Sequence, residues 1–140
     1  MSIQAILLPL FVQIFLTIAV MAYMSRVRRE ALGAGQVKIP EIALAEKIWP
    51  AKAQQVSNNF HNLLELPPLF YVAVIIAILT KKADLLFVIL SWVFVLGRVA
   101  HSFVHCTSNN VRMRSSIFMV SAIALIVIWI VLFVRIMFSL

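Results

Sequence analysis

The residues from Ile3 to Met24 contain no Asp, Glu, Lys or Arg. At about 1.5 Å per residue a helix of that length crosses a hydrocarbon layer of about 30 Å, so the run reads as a membrane span. A cleaved signal peptide would carry its basic residues ahead of the apolar stretch, whereas Arg26, Arg28 and Arg29 follow this one. Composition agrees: a chain of 140 residues that is 64% hydrophobic and 12% charged has too little polar surface to cover a core in water, which excludes a soluble domain. Twelve Lys and Arg against five Asp and Glu, on so apolar a chain, point to membrane orientation and not to a nucleic-acid partner. The single cysteine, Cys106, excludes an internal disulfide and any cysteine-built metal cluster.

Three more apolar runs follow. Leu63 to Leu79 is short for a span, but Trp49-Pro50 fits a helix start, so the helix is expected to begin outside the hydrocarbon and to kink at Pro67-Pro68, where two amide donors are missing. Thr80 to Asp84 reads as a charged turn with Asp84 capping the next helix. Leu85 to Val104 is the third span and Ser115 to Phe138 the fourth; Ser121, Ala122 and Ala124 allow close helix contact, and Arg135 is expected to snorkel from the span's end. The expectation is a single all-α domain over residues 1–140, an integral membrane four-helix bundle of left-handed up-down topology with spans near 3–24, 57–79, 85–104 and 115–138.

Loop charge sets the expected orientation. Ser25 to Gln55 carries Arg26, Arg28, Arg29, Lys38, Lys47 and Lys52, and the connection from His105 to Arg114 carries Arg112 and Arg114. In a four-span chain those loops share a side, opposed by Lys81 and Lys82, so the Ser25 to Gln55 loop is expected in the cytoplasm of a cell or inner membrane, with both termini outside.

Polar groups inside a span are costly and usually mark function. Asn58, His61, Asn62 and Glu65 are spaced 0, +3, +4 and +7 on the second helix, an arc of about 100°. Arg98, His101 and His105 on the third span an arc of about 60°, which Arg112 would share if that helix continued. The two stripes suggest one polar cavity open to the cytoplasmic side, with Glu65 and Arg98 at similar depth and able to neutralise each other. A purely structural role, an ion pair locking two helices with asparagines as interhelical glue, fits the same residues. His101 and His105 have an i, i+4 metal-ligand spacing, but without the glutamate of a metalloprotease motif no metal is expected.

Asn62-Leu-Leu-Glu65-Leu-Pro-Pro68-Leu-Phe70 resembles the helix-two signature of the MAPEG family, the membrane-associated proteins in eicosanoid and glutathione metabolism. Arg98, with ring side chains at +3 and +7 and Arg112 at +14, is similar to that family's Arg, Tyr, Tyr, Arg series on helix three. The resemblance covers essentially the whole chain. It implies a homotrimer with glutathione bound as cosubstrate between subunits near the cytoplasmic face, held through Asn62, Glu65 and Arg98, while Asn58, His61, His101 and His105 join them as candidate binding residues from the two polar stripes. It further implies that an arginine near the end of helix three, Arg112 or Arg114, stabilises the thiolate. The chain departs from the transferase and synthase branches at Asn58, where they have arginine, and at His101 and His105, where they have tyrosine.

A guanidinium beside a thiol favours the nucleophilic thiolate, and the bilayer can deliver an apolar electrophile. The leading expectation is therefore a glutathione-dependent transferase or peroxidase acting on lipophilic electrophiles. The alternative is a non-catalytic membrane module that binds a small anion, a lipid headgroup or a partner in the same cavity. Four short-looped spans without an inverted repeat argue against a transporter.

Overall fold

The computed structural model describes residues 1–44 and 48–140; Lys47, one of the basic loop residues, lies outside them. Among the described residues all regular structure is helical: α1 (Ile3–Gly33), α2 (Ile39–Ile42), α3 (Ala51–Glu65), α4 (Pro67–Leu79), α5 (Leu85–Cys106) and α6 (Val111–Met137). Four helical stretches are long and apolar enough to cross a membrane, namely α1, α3 with α4, α5 and α6.

Local chemistry sets the ends of these elements. Ser2 caps α1 by accepting from the Ala5 amide at 3.3 Å, and α1 runs well past Met24 before Gly35, at φ 70°, ends it in the left-handed conformation glycine adopts without a Cβ clash. The second span breaks at Leu66, directly before Pro67-Pro68, and the first amide after the prolines, that of Leu69, bonds back three residues to the Leu66 carbonyl at 3.1 Å. Proline costs a helix interior both a donor and a steric clash, which explains a break at this point. Asp84 caps α5 through a 3.0 Å bond from the Phe87 amide. Thr107 to Asn110 then reverses the chain, Asn109 taking φ 52° and Asn110 capping α6 through the Met113 amide at 3.2 Å.

Helix α5 packs along α6 and against α1 and α3, while α4 closes the bundle against α6 and α1. One apolar core centres on Phe70, Phe94, Leu125 and Ile128, all buried, with the Phe70 and Phe94 rings 4.8 Å apart. A second, of Met24, Val27, Ala53 and Val56, fastens the end of α1 to the start of α3. Helices α5 and α6 approach so closely at Gly97 that an added Cβ would run into the Ser121 hydroxyl, which itself donates to the Phe94 carbonyl at 3.3 Å. Small residues allow such contact between spans. The outward faces are apolar, with Phe15, Phe103 and Phe133 exposed along the spans. A chain with four such helices and this outer surface is an integral, multi-pass membrane protein.

Arg135, expected to snorkel from the end of its span, pairs there with Asp84 at 2.7 Å. The Asp84 side chain thus caps α5 and ties it to the end of α6. The Arg135 hydrogen bond holds the Asp84 carboxyl below the usual carboxylate range.

Candidate functional site

At the end of the bundle opposite the Asp84–Arg135 pair, α3, α5 and α6 enclose a cavity of about 360 Å³ lined by Asn62, His101, His105, Arg114, Ser115, Phe118 and Met119. Each side chain is placed by its helix. Arg98, His101 and His105 rise along one face of α5 at intervals of three and four residues, and all three are buried. The imidazoles meet edge to face, centroids 5.5 Å apart, and His101 also packs on Phe118 at 5.8 Å.

Arg98 lies one turn beneath the cavity and is fully buried. One terminal nitrogen donates to the Asn62 side-chain carbonyl, and the guanidinium carbon stands 5.5 Å from the Phe118 ring centroid. Its Nε and other terminal nitrogen have no hydrogen-bond partner among the described residues. The expected Glu65–Arg98 pairing is not a direct one: Glu65 is exposed on α3 and its charge acts on Arg98 only from beyond ion-pair distance, the two ion pairs among the described residues being Arg26–Glu30 and Asp84–Arg135. Helix α3 is turned so that Asn62 alone of its polar stripe lines the cavity. His61 and Asn58 are exposed, and Asn58 accepts a 2.8 Å bond from Gln54.

The arginine at the cavity mouth is also resolved by geometry. The expected continuation of α5 to Arg112 does not form, because α5 ends at Cys106 and the register restarts with α6 at Val111. Arg112 is exposed and lines no part of the cavity, whereas Arg114 faces it from the first turns of α6, held by a 2.6 Å bond to the Asn109 side chain.

A second polar set was not singled out in the sequence. Asn59, fully buried, accepts from Ser102 at 3.2 Å and donates to the Cys106 sulfur at 3.3 Å, and Gln55 donates to the His105 carbonyl at 2.6 Å. These bonds fasten α3 to the last turn of α5, and so fix where His105 stands. A spacing of −3 from Asn62 was the available signal, shared with neighbours that face outward.

Taken together, the fold and site define a four-span helical membrane protein with a cationic, histidine-lined cavity at one end of the bundle. The family model of the MAPEG family matches residues 6–134, and the chain belongs to that family. No curated protein and no solved structure gave a match.

Proposed function

We propose that this protein is a glutathione-dependent membrane transferase or peroxidase acting on lipophilic electrophiles. One observation carries the reading: Arg114 lines a cavity whose walls hold no carboxylate, and Arg98, buried one turn beneath it, forms no ion pair among the described residues. A buried cation without a counter-charge is unfavourable, so the site suits an anionic ligand. Glutathione offers carboxylates for Arg98 and Asn62, and a thiol whose ionised form Arg114 stabilises at the mouth. Met119 and Phe118, beside Arg114, provide the apolar side for the electrophile.

Assembly and orientation belong to the same proposal. Asn58, His61 and Glu65 are exposed on a helix that enters the membrane, which favours a second polar surface against them; a homotrimer supplies one from a neighbouring copy. Basic loop residues favour a cytoplasmic Ser25 to Gln55 segment, and hence a cavity opening to the cytoplasm.

A second reading, a non-catalytic module that holds a small anion or lipid headgroup, draws on Asn58. At this position the resembled transferases place an arginine, and here the side chain is engaged with Gln54. Titration of the detergent-purified protein with glutathione separates the two. The expected result is saturable thiolate absorbance and conjugation of glutathione to an added lipophilic electrophile. Absence of both across a broad electrophile panel would leave the binding-module reading in possession of the cavity.

A further inference from the structure

Thiol chemistry in this cavity needs a place for the proton, and the lining residues leave few candidates. The guanidinium of Arg114 has no lone pair to offer, and the Asn62 amide and the Ser115 hydroxyl are poor bases. Phe118 and Met119 take no proton. Two imidazoles remain, and each buries its Nδ1 without a hydrogen-bond partner. No acceptor therefore fixes either ring in one tautomer.

We propose that His105 is the general base that takes the thiol proton, with His101 positioning its ring; this rests on the glutathione reading above. His105 occupies the last turn of α5, two turns from the buried Arg98 guanidinium, and the imidazolium formed on proton uptake is offset by the thiolate formed with it. At His101 the new charge would stand only one turn from the buried Arg98 guanidinium. The main chain of His105 is held by the Gln55 amide at 2.6 Å, and its ring by the edge-to-face contact with His101 at 84° between planes. The charged and titratable groups around it are Arg98 and His101 on α5 and Arg114 on α6; Lys52 of α3 is engaged by the Cys106 carbonyl.

In the step, the S–H bond breaks, its electron pair stays on sulfur and the proton moves to the ring nitrogen of His105. The thiolate forms beside Arg114 and attacks the electrophilic carbon, and the leaving group departs with its bonding pair. His105 then releases its proton to water. A phenol at this position, as in the resembled branches, can donate to a thiolate but is a far weaker base than imidazole at neutral pH.

His105→Gln and His105→Tyr test this, with glutathione and a chlorodinitrobenzene as the probes and detergent melting temperature as the control for folding. Both variants are expected to bind glutathione within about threefold of the unmodified protein and to conjugate it about 10²-fold more slowly at neutral pH or worse. The gap should narrow as pH rises through about 8.5, where the free thiol ionises unaided. If Gln at this position unfolds the protein, the Tyr variant carries the test. An unchanged rate and pH profile in a variant that binds glutathione would overturn the inference alone. A loss of affinity as large as the loss of rate would overturn it too, making His105 a binding residue. Failure of the unmodified protein to bind glutathione would remove the thiol reading and this inference together.

Discussion

Arg98 and Arg135 sit on neighbouring spans toward opposite ends of the bundle, and the fold treats them differently. Arg135 reaches Asp84 at 2.7 Å near the membrane edge, where the carboxylate also caps α5, so its charge is answered within the chain. Arg98 is fully buried, donates to one asparagine and leaves two nitrogens without partners. A neutralised charge at a helix end is scaffold. One without an ion-pair partner beneath a cavity is, on the function proposed above, what favours an anionic ligand there.

The largest effect that would sharpen this contrast belongs to Arg114, the cation lining the cavity itself. Arg114→Ala should slow conjugation of glutathione by about 10²- to 10³-fold through loss of charge stabilisation, with the melting temperature in detergent nearly unchanged. The exposed Arg112 is the internal comparison, and a greater loss in Arg112→Ala than in Arg114→Ala would show that the structure has put the wrong arginine at the mouth.

Next comes Arg98→Met. If the buried guanidinium awaits a ligand, its removal should weaken glutathione binding by about 10- to 100-fold, the equivalent of one charge-assisted contact. Meanwhile the melting temperature of the unliganded protein should hold or rise, since an uncompensated buried charge has been replaced by an apolar chain. A clear fall in melting temperature would break the comparison, because it would mean that Arg98 is as much a structural member as Arg135.

Asp84→Asn gives the smallest change. The substitution keeps a capping acceptor but removes the charge, and for a half-exposed ion pair the cost should be well under about 1 kcal/mol at neutral pH. Its pH dependence has a definite sign. The Asp84 carboxyl is held below its unfolded value, so its contribution is present above an unfolded pKa of about 3.9 and is lost as pH falls through the folded value. Melting curves of the unmodified protein should therefore drop toward those of Asp84→Asn in acid and separate from them near neutrality. Curves that separate only in acid would contradict the pairing.

How far the sequence revealed these features depends on the reach of the signal. Uncharged length disclosed the spans, and local rules disclosed the break at Pro67-Pro68 and the cap at Asp84, because each is decided within a few residues. The polar stripe on α3 was legible as a stripe, but not which way it faced. The inward face is set by what α1 and α5 present, so Asn59 and Ser57 are buried while their neighbour Asn58 is exposed. The sequence left Arg112 and Arg114 both open for a related reason: the turn at Thr107 to Asn110 resets helical phase, and no periodicity carried across it is meaningful. That Arg135 finds Asp84 at the span's end was not legible, because its partner stands 51 positions earlier at the start of a different helix.

The close approach of Gly97 and Ser121 gives the cavity a fulcrum. Pinned nearly backbone to side chain at that level, α5 and α6 are held apart higher up by the wedge of His101 against Phe118. Leverage then runs from the pin to the mouth: a side chain slightly larger than serine at position 121 would tilt one helix against the other and alter the gape at Arg114, several ångströms from the substitution. The width of the cavity is in that sense decided below its lining, by two small residues that form no part of its wall.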